Sequence, residues 1–400
     1  MYEVRPASPA PDGAGPTSET FVQGYSSVDV LFVVDNSFGM GPIQDALAGG
    51  ITPLLQRMAL GKLDWRIGVI STDMGIAPFS GPGCPKGGGD GGELQTKPRK
   101  PGCTPPPDPY ITPTNVGDAA AAFACIAALG TGGCGFERHF DAVLQALTPG
   151  KQPALNKGFL RDAALLMVVW VTNEDDCSAA DPRIYDPDYI TLGAWTSYRC
   201  FDQDIACGGK AADGSLTGCV SGSGSYLRPV KTMVQQLRSL KPSGSVAVLA
   251  LTGPPRPVRV QGGSSPALQP SCTEAAGAIT ATPAIRLHEL ADQLGADGVA
   301  VSVCSDNLGD RLAEAVGSLR TTAGPYCLAH ALEDPSRPGC SVVAVTPAGA
   351  RLVLPPAVDG SPGFRIIHPV IPACKNGALV FDAAAAPPAG SEVTVTCAFK

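Results

Sequence analysis

Charge is scarce in this chain. Only 16% of its residues are Asp, Glu, Lys or Arg, against about 25% in an ordinary domain, and the acids leave a net charge of −7. There is no basic footprint of the kind nucleic acid requires. The acidity names no partner either, because solubility accounts for it equally. Long apolar runs are missing: no stretch of 18 apolar residues occurs, so no segment reads as a membrane-spanning helix. Histidine is limited to His139, His288, His330 and His368, and no C-x₂₋₄-C pair accompanies them, which removes the zinc arrangements. His139 and His288 fall on predicted helices without a second His at i+4 and read as helix-face residues. No G-x-S-x-G elbow surrounds Ser37, and no His follows a strand end. Gly87-Gly88-Gly89 lacks a following Lys-Ser/Thr, so it is no phosphate loop. With neither an acid–base pair nor a nucleophile in view, the chain does not read as an enzyme.

Cysteine, glycine and proline are abundant instead. Gly (48) and Pro (39) make up about a fifth of the 400 residues, which points to long, turn-rich loops between regular elements. The fourteen cysteines sit beside those loops or at element ends, where cross-links stabilise segments with little core of their own. Disulfides imply an extracytoplasmic protein, at the periplasm, outer membrane or cell surface. The start Met1-Tyr-Glu-Val-Arg lacks the apolar core of a signal peptide, so a targeting segment is expected upstream, with a lipid anchor as one form of attachment. From sequence proximity the expected pairs are Cys125 with Cys134, Cys84 with Cys103, and Cys374 with Cys397.

Short apolar runs alternate with amphipathic stretches along most of the chain. Strands are predicted at 28–34, 63–71, 163–172, 245–252 and 298–303, and helices at 42–60, 115–129, 136–147, 225–240, 283–294 and 306–319. This alternation predicts an α/β fold with a doubly wound, mostly parallel sheet and helices on both faces. Residues 1–24 read as a flexible tether. Residues 25–323 read as the α/β domain, with loop insertions at 73–114, 173–224 and 253–282. Residues 324–400, with short β-type segments, read as a small β-rich domain.

Three predicted strands end in oxygen-bearing residues: Asp35-Asn36-Ser37-Phe38-Gly39-Met40, Ser71-Thr72-Asp73, and Thr172-Asn173-Glu174-Asp175-Asp176. Ligands of open α/β sheets gather beyond the strand carboxyl ends. Oxygen donors collected there suit a hard divalent cation, Mg²⁺, Mn²⁺ or Ca²⁺.

The segment VDVLFVVDNSFGM resembles the first strand and D-x-S-x-S loop of the von Willebrand factor A domain, whose metal-ion-dependent adhesion site binds a divalent cation. WRIGVISTDMG, GGCGFERHFDAVLQAL, VVWVTNEDDCS and GVAVSVCSDNLGDRL are similar to exported bacterial A-domain proteins, many of them lipoproteins, of myxobacteria and their relatives. The resemblance spans about 21–319. It implies metal ligands at Asp35, Ser37 and Asn173. Gly39 stands where a Ser ligand is usual, and Asn173 where an Asp is usual. A further ligand is expected within 131–137, with Glu137 a candidate ligand or a supporting group just outside the ligands, and Glu174, Asp175, Asp176 and Asp73 are candidates to restore charge. The implied function is binding or adhesion to a protein or other surface ligand. The alternative is a structural envelope protein with a vestigial site. Trp195, in the second insertion, is a candidate exposed contact.

Overall fold

A computed structural model describes residues 18–400, apart from 26, 61–62, 82, 85–87, 163, 223–225, 242–244, 319–325, 336–338, 347–348, 359–360, 368–373, 383–384 and 389. The fold is mixed α/β with a separate set of antiparallel strands. In chain order the principal strands are β1 (Ser18–Val22), β2 (Ser27–Val34), β3 (Asp64–Ser71), β4 (Leu165–Val171), β5 (Val246–Thr252), β6 (Gly298–Ser302), β7 (Ser341–Val345), β8 (Arg351–Leu354), β9 (Phe364–Ile367), β10 (Ala378–Phe381) and β11 (Glu392–Thr396). The helices are α1 (Gly41–Gly50), α2 (Thr52–Leu60), α3 (Ala119–Ala127), α4 (His139–Leu147), α5 (Tyr189–Leu192), α6 (Tyr198–Asp204), α7 (Val230–Ser239), α8 (Ile285–Leu294) and α9 (Leu308–Ser318).

Five parallel strands form the main sheet in the order β6-β5-β4-β2-β3. The near-continuous apolar runs of β2, β4 and β5 follow from burial on both faces. Val28, Val30, Phe32 and Val34 join one apolar cluster with Ile43, Leu47, Phe123 and Leu312 of α1, α3 and α9. Leu31 and Val33 point the other way and join Phe140, Val143, Met233 and Leu287 of α4, α7 and α8. The two-residue period of a strand thus feeds two cores, each fully buried Val, Leu or Phe contributing about 1.5–3 kcal/mol.

The helix predicted at 42–60 is two helices, breaking at Ile51. Gly49 and Gly50 end the first, and Pro53 suits the first turn of the second. Gly50 also lies against α9: a Cβ there would stand 2.8 Å from the Cα of Gly309.

The tether expected over 1–24 is corrected where it can be followed. Ser18–Val22 is a strand, paired antiparallel with β11 from Ser18↔Thr396 to Val22↔Glu392. The four-stranded sheet runs β1-β11-β7-β8. Glu19 is buried and accepts the N–H groups of Ala329 and His330 at 3.0 and 2.8 Å, and Phe21 stacks on Tyr326 with centroids 4.0 Å apart. Residues 1–17, and the expected boundary at 323/324, lie outside the described residues.

Seven disulfides pair all fourteen cysteines, which points to an oxidising, extracytoplasmic setting. All three expected pairs are corrected. Cys84 joins Cys134 and Cys103 joins Cys125, so the first insertion is stapled to the segment around α3, not to itself. Cys397 joins Cys340 because the register Ser341↔Thr396 brings those two positions side by side, and Cys374 joins Cys327. The remaining pairs are Cys177–Cys200, Cys207–Cys219 and Cys272–Cys304. Among the described residues no helix is long and apolar enough to cross a membrane.

Candidate cation-binding edge

Adjacent strands β2 and β4 release their carboxyl ends together. The Asp35 N–H donates to the Val171 carbonyl at 2.9 Å, carrying the ladder one residue beyond the strands. The Asp35 carboxylate, fully buried, accepts the Ser37 N–H on Oδ1 and the Thr172 hydroxyl on Oδ2, both at 2.7 Å. Gln44 of α1 donates from Nε2 to the carbonyls of Asp35 and Gly130, both at 2.9 Å, fixing the loop against the turn before α4. The Gly133 N–H adds a bond to the Asn36 carbonyl at 2.8 Å.

Gly39 and Asn173 meet across this edge. Gly39 has φ +94°, and a Cβ there would lie 2.9 Å from Asn173 Nδ2. The position therefore favours glycine on two counts, and the serine of the resembled motif would be strained here. The Asn173 carbonyl accepts both the N–H and the hydroxyl of Thr282, at 2.9 and 3.2 Å.

Several oxygens at this edge are buried without a hydrogen-bond partner: Ser37 Oγ, Asn173 Oδ1, Thr72 Oγ1 and both carboxylate oxygens of Glu137. Such groups are rare in folded proteins and each asks for a missing partner. Burial, with Glu174 and Asp35 nearby, pushes the Glu137 carboxyl well above its ordinary range. Burial raises Glu174 as well. Among the described residues no well-formed hydrogen bond reaches the Glu137 carboxylate oxygens, and the acid beside it, Glu174, also engages the Ser197 side chain. A proton between the two carboxyls or a cation is what satisfies that pair.

The other candidates serve the fold. Asp73 accepts the Gly75 N–H at 2.9 Å, and Gly89 passes so close that a Cβ there would sit 1.9 Å from Asp73 Oδ1; it organises its own loop. Asp175 accepts the N–H groups of Arg286 and Leu287 at 2.8 and 3.1 Å, at the start of α8. Within 131–137, Thr131 is exposed and Glu137 buried, and the Asp35 charge is one of the causes that raise the Glu137 carboxyl. Trp195, a candidate exposed contact, is only partly exposed. Its ring packs on Phe136 with centroids 5.7 Å apart, in a third apolar cluster with Ile184, Tyr185 and Leu227.

Sequence reading marked Thr172 only as an oxygen-bearing strand-end residue and passed over Gln44 and Arg286. Gln44 is a buried polar residue beside the apolar helix positions Ile43 and Leu47, and that interruption is the signal it gives. Arg286 is buried and donates to Asp204, to Asp176 at 3.4 Å and to the Arg228 carbonyl at 2.7 Å. Nothing in its local pattern separates it from a surface arginine.

A divalent cation is implied by the resemblance, so the donors need testing against it. Among the described residues no group of three or more His, Cys, Asp and Glu side chains could hold a metal ion. The oxygen donors along this edge are mixed instead: a carboxylate, a hydroxyl and an amide oxygen, the last two unpartnered. An all-oxygen set with unfilled acceptors fits a hard cation.

No family model matches the chain, and no curated relative does. Among solved structures it is similar to the pilus adhesin SpaC from Lactobacillus rhamnosus GG, in one form at 12% identity and TM-score 0.34, over 95% of this chain and 40% of that one. The open conformation of SpaC gives 11% identity and TM-score 0.34, over 96% and 42% of the two chains. The pilus adhesin RrgA from Streptococcus pneumoniae gives 10% identity and TM-score 0.29, over 96% and 57%. This chain spans well under two thirds of the length of each, and likeness at these TM-scores carries no argument about fold or activity.

Proposed function

We propose that this chain is an extracytoplasmic binding protein, not an enzyme, built on a doubly wound domain of the von Willebrand factor A type. Its carboxyl edge holds a divalent cation (Mg²⁺, Mn²⁺ or Ca²⁺). The sheet order supports this reading: β2 lies between β3 and β4, so the order in which strands are added switches sides at β2 and β4, where ligands of such sheets gather. The observation that carries it is the set of buried, unpartnered oxygens beside Asp35.

Asp35, Ser37 and Asn173 would hold the cation, and Glu137 with Glu174 would supply the negative charge that Asn173 lacks. A cation there offers an open position to a carboxylate of a protein or other surface ligand. Thr172 and Gln44 keep the Asp35 loop in place by the bonds described above.

A vestigial site in a structural envelope protein is the second reading. One observation favours it: a shared proton satisfies Glu137 and Glu174 as well as a cation does. Calorimetry separates the two. Mg²⁺, Mn²⁺ or Ca²⁺ should give a binding heat that Asp35→Ala abolishes and Glu137→Gln weakens. Equal silence from wild type and both variants would favour the vestigial site.

A further inference from the structure

One face of the four-stranded sheet β1-β11-β7-β8 is covered and the other is open. On the covered face Val342, Ala344, Val393 and Val395 are buried in an apolar cluster, with Phe21, Leu352 and Leu354 packed against it. Their alternates point to the open face, where the register lines them up in rows. Val22, Glu392, Val345 and Arg351 form one row across the four strands, all exposed. Thr20, Thr394, Val343 and Val353 form the next, with Val353 69% exposed and a hydroxyl bond of 3.2 Å joining Thr20 to Thr394. A sheet with one wet face ordinarily carries polar residues there. Here valine takes four of the eight positions.

We infer that this face is an interface between two copies of the chain, packed face to face about a two-fold axis. The charges of the first row select the axis. Glu392 and Arg351 flank Val345, one strand away on either side. An axis that runs along β7, midway between the two sheets, brings Glu392 of each copy opposite Arg351 of the other. It also stacks Val345 on Val345 and Val343 on Val343, and sets Thr394 opposite Val353. An axis that runs across the strands instead sets each charge against its like or against an uncharged residue. The face is complementary to itself in one arrangement, which is what a two-fold contact requires.

Stacked sheets keep their strand directions within about 30° and stand about 10 Å apart. Valine side chains fill that gap, and the longer Glu392 and Arg351 side chains reach across it on the two sides of β7. Opposite charges that face each other fix the register and disfavour wrong arrangements. A partner of unrelated sequence would need no such balance of one acid and one base about a central valine. The open face measures about 15 Å each way, from the spacing of four strands and the rise of five residues. A patch of that size belongs with weak, transient interfaces, so the pairing depends on concentration.

Sedimentation equilibrium of the full chain, from about 10 μM to about 1 mM, in low salt and in about 1 M salt, measures the pairing. The variants are Arg351→Glu, Glu392→Arg, the two combined in one chain, and Val345→Lys. All change exposed positions, and urea unfolding of each checks that the sheet is intact. Wild type should dimerise as its concentration rises, and less in high salt. Either charge reversal alone sets like charges opposite each other twice and should weaken the dimer about tenfold or more. An equimolar mixture of the two single variants should dimerise again, as should the combined variant, because each restores an acid opposite a base. Val345→Lys should abolish the dimer by placing two cations on the axis.

A wild-type chain that stays monomeric at about 1 mM would overturn the inference. So would a dimer that survives both charge reversals and Val345→Lys at full strength, since its contact lies on another face. Single variants that lose the dimer, and whose mixture fails to recover it, would show that Glu392 and Arg351 do not face each other between copies. Loss in each single variant, recovery in the mixture and weakening by salt together are the result that the register predicts.

Discussion

Asp175 and Asp176 are neighbours in the chain and hold two different helices. Asp175 accepts from Arg286 and Leu287 at the head of α8, and Asp176 accepts the Phe140 N–H of α4 at 3.2 Å. An acid at a helix N-terminus meets both unpaired N–H groups and the positive end of the dipole. The sequence EDD beyond β4 is thus divided between structure and site, with Glu174 left beside Glu137 and Asp35.

Arg286 joins the same network from α8, pairing with Asp204 of α6 and with Asp176, all three buried. Arg286→Ala leaves two buried carboxylates without their cation and should cost about 3–5 kcal/mol, as removing one partner of a buried pair does. Urea unfolding of wild type and variant measures it. A loss under about 1 kcal/mol, the range of exposed pairs, would show that the network is solvated.

Burial lifts the Asp175 carboxyl from 3.8 to about 7, against the pull of its N–H donors and Arg286. A folded pKa above the unfolded one means that the native state binds the extra proton between those values. The stability contributed by Asp175 is therefore full below about pH 4 and is lost as pH rises through about 7. His139, whose buried ring is pushed below 6.5, acts in the opposite sense, its contribution full above 6.5 and lost in acid. Urea midpoints from pH 4 to 8 should fall less steeply with rising pH in Asp175→Asn than in wild type. Parallel profiles would contradict the assignment.

The N-terminal strand should be required by the β-rich sheet. Deleting residues 1–24 removes one of the two strand partners of β11 and the Glu19 carboxylate that takes the backbone N–H groups of Ala329 and His330. Hydrogen exchange at 392–396 should accelerate in the deletion, and Glu19→Ala should cost about 1–3 kcal/mol as buried donors lose their acceptor. Unchanged protection at those amides would show that β1 is dispensable.

Removing Cys177–Cys200 by double serine substitution should cost about 3 kcal/mol, the loop entropy of a cross-link of this span. Peptide mapping without reduction should recover Cys84 with Cys134 and Cys103 with Cys125. Recovery of Cys84 with Cys103 would overturn the stapling of the first insertion.

The three central strands of the main sheet were legible because LFVV, LLMVVWV and VAVLAL are apolar throughout, a pattern that burial on both faces requires. The placing of Asp35, Ser37 and Asn173 just beyond strand ends was legible because strand ends announce where loops begin. What could not be read was contact at a distance. Cys84 and Cys134 are 50 residues apart, and the register of β7 on β11 decides Cys340–Cys397. Ser18–Val22 looked like tether because its strand partner lies at the other end of the chain. Arg199 and Arg286 gave no signal in the sequence because the carbonyls and acids they serve are placed by folding.

Crystals grown with Mn²⁺ and measured for anomalous scattering test the cation site most directly. The expected result is a peak bordered by Asp35, Ser37 and Asn173, with Glu137 and Glu174 parted as ionised carboxylates. An empty edge, with the Glu137 and Glu174 carboxyls in hydrogen-bond contact around a shared proton, would contradict it.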